Sequence, residues 1–504
     1  MIATVPSATL LGVRGRSVSV EVHVSNGLPG FTVVGLPDAS CREARDRVRA
    51  ALLSSGLPWP LKRVTVNLAP SGLRKAGSQL DLAIAVALLV AEERLPADRV
   101  RGMAFLGELG LDGTVRAVAG TVPLVHALSA PTVVVPARSV PEATMVGRHE
   151  VRAATDLTTL VQAITGAEPW PSAPPQPVPP PEPDLLDLAD VRGQPTARLA
   201  LELAAAGGHH LLMVGPPGAG KTMLARRLPG LLPDLDPTDA LDATMVHSAA
   251  GVPLSGGLVR RPPFRAPHHG ASTVSLTGGG SAMMRPGEIS LAHNGVLFLD
   301  ELGEFQASVI DALRQPLEEG VIRVSRAAGT VTFPAKVLLI AAMNPCPCGQ
   351  GAAPGRCSCS DAARARYHRR VSGPILDRFD LRIDVEAPDV DDLIGGSPGE
   401  SSSTVRERVA MARRRARERG VDCNAQLPAE RLDELAPLSG EATKLLEDTL
   451  REGRLTGRGL HRIRRLALTL ADRDDRGGPL PVTDVALALQ LRSVPAPFEI
   501  AAVV

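Results

Sequence analysis

"HLLMVGPPGAGKTMLARRL", residues 210–228, decides the fold. "HLLMV" reads as a buried strand, "GPPGAGKT" (215–222) as a glycine-rich loop, and "TMLARRL" as the opening of a helix. In that order the three present backbone N–H groups to phosphate oxygens at a helix N-terminus. Gly215, Pro216, Pro217, Gly218, Ala219 and Gly220 form the cradle. Lys221 reaches the outer phosphates, and the Thr222 hydroxyl is a ligand for Mg²⁺. The pattern predicts a site for ATP with Mg²⁺. Lysine is scarce, with Lys62, Lys75, Lys336 and Lys444 the others in the chain, so the loop holds one of very few.

Downstream, "GVLFLDE" (295–301) predicts a buried strand ending in two carboxylates. Asp300 is placed for the Mg²⁺ shell and Glu301 to polarise an attacking water. A third apolar run, "KVLLIAAMN", ends at Asn344, where an amide can meet the terminal phosphate or the water. These runs, separated by helical stretches, predict an α/β core with parallel strands buried on both faces. In "SGPILDRFD", Arg378 reads either as a finger offered to a neighbouring subunit's nucleotide or as a surface partner of Asp377 or Asp380.

At 504 residues with 44% hydrophobic content, the chain has material for two or three cores. A net charge of +1 excludes a protein that coats DNA, so any nucleic-acid contact must be local. The N-terminus lacks a basic leader, and the apolar stretch from Leu80 is too short for a bilayer span, which together predict a cytoplasmic protein with no membrane partner. A proline-rich linker at 166–186 divides a front module, 1–165, from an ATPase core at 187–396 and a helical, arginine-rich part at 397–504. The front module mixes strands at 17–24, 63–70 and 132–136 with a helix for which Ser40 is the expected N-cap. The run "VRERVAMARRRARERG" (405–420) reads as a solvated helix face, with a DNA patch as the alternative.

The stretches "DLADVRGQPTARLALELAAAGGHHLLMVGPPGAGKTMLARRLPG", "FRAPHHGAS", "RPGEISLAHNGVLFLDELGEF" and "RAAGTVTFPAKVLLIAAMNPCPCG" carry a resemblance. Over nearly its whole length the chain is similar to the magnesium-chelatase-like AAA+ ATPases of the YifB/ComM type. The resemblance implies a P-loop NTPase core with a helical lid, assembled as a homo-hexameric ring. It makes Gly215–Thr222 Walker A, Asp300 and Glu301 Walker B, Asn344 sensor 1, Arg378 the arginine finger and Arg458 a sensor 2 reaching from the lid to the γ-phosphate. One departure is Gly303, where the family usually has proline.

"GVIRVSRAAGTVTFPA" predicts a hairpin around "RAAG". The resemblance implies that it points into the ring's pore, with Arg326 near its tip as a DNA contact; an ordinary exposed hairpin is the bland alternative. A second insertion at 278–288 offers Arg285. Such sparse, sequence-blind contacts suit a translocase or branch-migration motor on single-stranded or branched DNA. The alternatives are a chelatase-type or protein-remodelling motor acting on a protein. The front module resembles a Lon-type peptidase domain, an α+β unit of ribosomal S5-like fold. No lysine lies between Lys75 and Lys221, and Gln79 falls at the nucleophile position with Ser78 beside it, so it is expected to be a degenerate scaffold.

Cys346, Cys348, Cys357 and Cys359 form two C-x-C pairs around a Gly/Pro-rich spacer. The pattern fits a structural Cys₄ site for Zn²⁺; free thiols and a redox disulfide are the competing readings, and His368 is an alternative ligand.

Overall fold

The computed structural model of the chain describes residues 1–173, 185–254, 256–280, 284–326, 329–351, 357–371 and 373–493, with the Arg326 and Gly329 side chains outside that set. The expected apolar runs form a five-stranded parallel sheet in the order Phe264–Arg265, Gly295–Leu299, Val337–Met343, Leu211–Val214, Leu381–Asp384. Alternate residues of a strand face opposite sides. Leu211 and Met213 accordingly join one apolar cluster with Leu203 and Leu466, whereas Leu212 and Val214 join another with Leu297 and Phe305. Both faces are covered, which is why these strands read as unbroken apolar runs rather than as an alternation.

Beyond the sheet, the helices Ser402–Glu418, Gly440–Arg451, Gly457–Arg473 and Val482–Gln490 share the first cluster with helix Pro195–Gly207. The arginine-rich run is less solvated than its composition suggests. Arg408 forks onto Glu202 at 2.6 and 3.1 Å, and Arg419 onto the buried Asp472 at 2.6 Å on both nitrogens. These charge-assisted forks fasten helix Ser402–Glu418 to the molecule instead of leaving its arginines for a polyanion.

In the front part, Ile2–Leu11 and Arg14–Ser25 make an antiparallel hairpin within a four-stranded sheet that also holds Arg63–Ala69 and Gly30–Val34. Val18, Val20, Val22 and Val24 alternate inward, onto helix Asp81–Ala91. Trp59 and Trp170 flank the same core. The helix expected to start at Ser40 spans Ala39–Ser54 and is capped by Asp38, whose carboxylate accepts from the Cys41 N–H at 2.8 Å. The carboxylate competes better than a hydroxyl for those amides, so the cap lies two residues earlier than the serine.

Val321–Arg326 and Gly329–Pro334 form the expected antiparallel hairpin; the tip residues 327–328 and the Arg326 side chain lie outside the described residues. Its base is apolar. Val331 and Phe333 pack with Val13, which belongs to the turn of the front hairpin. Ser248 ties the front part to helix Pro237–Ala250: it donates to Glu142 Oε2 at 2.9 Å and accepts from the Val122 N–H at 3.2 Å. Among the described residues no helix is long and apolar enough to cross a membrane.

Candidate active site at the strand ends

The loop after Leu211–Val214 turns through Gly218 (φ +81°) and Gly220 (φ +87°), a conformation that strains any residue with a Cβ. It delivers Lys221 and Thr222 to the start of helix Lys221–Ala225. Lys221 Nζ donates to the Gly215 and Pro216 carbonyls at 2.7 and 2.9 Å and to Asn344 Oδ1 at 3.3 Å. Burial pushes its pKa down, opposed by the nearby Asp300 and Glu301. Thr222 Oγ1 donates to Asp300 Oδ2 at 2.7 Å, so a hydroxyl and a carboxylate from separate elements meet as hard oxygen donors, a set that suits Mg²⁺. Lys221, Thr222, Asp300, Glu301 and Asn344 all line one cavity of about 400 Å³ with Pro217, Gly218 and Gly220.

Two residues here escaped the sequence reading. Gln194 Nε2 donates to the Ala219 carbonyl at 2.6 Å, bracing the loop from the start of helix Pro195–Gly207. His269 Nδ1 lies 3.0 Å from Glu301 Oε2. The adjacent histidines of "APHHG" were the available signal, but nothing in their spacing names a partner across the sheet.

Arg378 and Arg458 do not join this cavity. They line a second one, of about 750 Å³, whose wall includes His210, Gly295 and Val337 at the amino ends of the strands. The phosphate loop leaves the opposite, carboxyl end. Arg378 is paired with Glu318, and not with Asp377 or Asp380, because Asp380 is engaged by Arg462 at 2.5 Å and Asp377 faces Arg382 at 3.4 Å. Arg458 is exposed in the first turn of helix Gly457–Arg473. Arg285 is exposed too, in a backbone bridge with Gly279.

The four cysteines converge. Their sulfurs all lie within 4.8 Å of one another, with Cys346–Cys348 at 3.4 Å, Cys346–Cys357 at 3.8 Å and Cys348–Cys357 at 3.7 Å. A tetrahedral thiolate site with Zn–S near ~2.3 Å requires sulfur separations of about 3.8 Å, which the cluster meets. The Gln350 backbone and the Cys346 thiol hold Cys348 down to about 6, the ionised form a metal takes. His368 is buried and bonds to the Pro345 backbone, away from that role.

Gly303 is explained by Tyr367: a Cβ there would come 2.3 Å from the phenol's Cζ, so proline cannot coexist with that ring. In the front part Ser78 donates to the Glu108 carboxylate, Lys75 to the Pro70 carbonyl, and the buried Gln79 to Ala76 and Thr9. No serine–lysine pair results among these contacts.

Comparison with known proteins adds to this geometry. Residues 187–393 match the family model described as magnesium chelatase, subunit ChlI; residues 20–139 match that of subunit ChlI of Mg-chelatase, and 399–492 its C-terminal part. An uncharacterised protein of Mycobacterium tuberculosis is 45% identical over 505 residues, covering 96% of this chain and 97% of its own length. The competence protein ComM of Haemophilus influenzae is 43% identical over 478 residues and YifB of Escherichia coli 42% over 478, each covering 94% of both chains.

Proposed function

The chain belongs to the magnesium-chelatase-like family of the YifB/ComM type, and from that premise we propose that it is an Mg²⁺-dependent ATPase of the AAA+ class, a ring motor that moves DNA. The observation that carries the reading is the separation of the two cavities. Lys221, Thr222, Asp300, Glu301 and Asn344 face one end of the sheet, and Arg378 with Arg458 the other. A protomer so built keeps its arginines from its own phosphates, and stacking copies head to tail in a hexamer supplies them to a neighbour.

ATP then lies with its phosphates on the loop amides, and Lys221 turns from its carbonyl partners to the outer oxygens. Mg²⁺ held by Thr222 and Asp300 supplies neutralising charge on the phosphates. Glu301 takes the proton of the attacking water, Asn344 orients that water or the terminal phosphate, and the neighbour's Arg378 and Arg458 stabilise the charge that develops. Zn²⁺ on the four cysteines fixes a glycine-rich loop beside this centre.

Track contacts fall to the hairpin carrying Arg326 and the insertion carrying Arg285, with single-stranded or branched DNA as the polymer. The 43% identical relative is named a competence protein, which favours DNA uptake or recombination as the setting. The front part acts as a Lon-like scaffold without peptidase activity. Reduced thiols and the lack of a spanning helix among the described residues fit a cytoplasmic site.

The test is ATP turnover with and without single-stranded or forked DNA. Stimulation, with binding that weakens as salt rises, is expected. The same rate in both conditions, and no affinity at low salt, overturns the DNA reading. A second reading, a motor that remodels a partner protein, is favoured by the chelatase descriptions of all three matched models, and stimulation by protein instead of DNA selects it.

A further inference from the structure

Glu301 is gripped from outside its own strand. After Phe264–Arg265 the chain runs through His268 and His269 and on to the insertion that holds Arg285. His269 Nδ1 meets Glu301 Oε2 at 3.0 Å. The imidazole is itself fixed: the His268 ring lies 4.0 Å away, centroid to centroid, and Phe305 meets it edge-on at 6.5 Å and 80°. Arg265 forks onto Glu288 at 2.7 and 2.9 Å, closing the segment at its base. Glu301 stands in the left-handed region (φ +53°), so its backbone alone leaves the side chain poorly determined.

We propose that His269 is a positioning residue for ATP cleavage, donating from Nδ1 to one Glu301 oxygen so that the other faces the phosphate cavity and is free to accept the water's proton. The reading rests on the motor assignment of Glu301 and deepens it. Since His269 and Arg285 share one closed segment, the seating of the insertion sets how well Glu301 is aimed. Contact with the track is thereby linked to cleavage through a single hydrogen bond. An imidazole suits this use because it donates without adding a fixed charge beside the phosphates.

The experiment compares the full chain with H269A, H269N and E301Q, measuring kcat and the affinity for a fluorescent non-hydrolysable ATP analogue. H269A is expected to lower kcat by about 10- to 100-fold, less than loss of a general base itself, with analogue affinity unchanged. H269N, whose amide can donate to the same oxygen, is expected to recover most of the rate. Three results overturn the proposal: an unchanged kcat in H269A, analogue affinity falling in step with kcat, or H269N no better than H269A. If E301Q turns over ATP like the parent, the assignment of Glu301 fails instead, which is a distinct outcome.

Discussion

Gly349, between the two cysteine pairs, lies on Pro217 of the phosphate loop so closely that a Cβ built on it would come 2.6 Å from the proline Cγ. The cysteine loop thus supports the nucleotide loop from behind, and its metal chemistry and ATP binding share one contact. Gly349 also has φ +79°.

Gly349→Ala combines left-handed strain with overlap on Pro217. We expect it to lower stability by about 1–3 kcal/mol and to weaken ATP binding, read by thermal melting and a nucleotide titration. A variant that melts lower but binds ATP unchanged separates the two loops.

The sulfur cluster makes a stoichiometric prediction. Protein purified without chelators should carry about one Zn²⁺ per chain, and C348S or C357S should lose it together with part of the melting temperature. Metal content below about a tenth of an equivalent in the parent removes the zinc assignment.

The carboxylate and the lysine of the phosphate cavity should separate cleavage from binding. E301Q is expected to keep ATP affinity while kcat falls by about 10²–10⁴, and K221A to lose affinity as well. Equal losses of affinity in both would place Glu301 among the binding groups.

For the arginines of the second cavity, the prediction concerns mixtures. R378A should lower ATP turnover by about 10³ or more while binding nucleotide normally, and doped into parent protein it should inhibit beyond its mole fraction. Inhibition strictly proportional to the fraction added would confine Arg378 to its own protomer.

His293 supplies a pH dependence. It is buried, its Nδ1 accepts from the Lys336 N–H at 3.2 Å, and burial with the neighbouring Lys336 and Arg14 charges holds its pKa down to about 4. The unfolded chain takes up a proton near ~6.5 while the folded chain resists until about 4, so stability is full above the first value and falls between them as pH drops. H293Q should flatten that limb of a melting-temperature profile between about pH 6.5 and 4. An unchanged slope would assign the acid sensitivity elsewhere.

What the sequence made legible follows from local physics. The strands at 211–214, 295–299 and 337–343 announce themselves as apolar runs, and the phosphate loop as glycines before Lys221 and Thr222, because neighbours along the chain create both patterns. His269 on Glu301, Gly349 on Pro217 and Tyr367 under Gly303 are contacts between remote segments, and no periodicity encodes them. Arg458 illustrates the same limit: its helix start was readable, but the end of the sheet it faces depends on how the C-terminal helices pack. The displaced cap at Asp38 is a local error, since an aspartate two residues upstream was in view and simply outcompetes the serine.

The phenol that excludes a side chain at Gly303 is the chain's sole tyrosine, and both tryptophans sit on the front core. Excitation at the red edge of indole absorption therefore illuminates the front unit alone, whereas the ultraviolet emission of tyrosine arises wholly inside the ATPase. The two halves carry separate native optical labels, and their unfolding and nucleotide response can be followed in one cuvette without a dye.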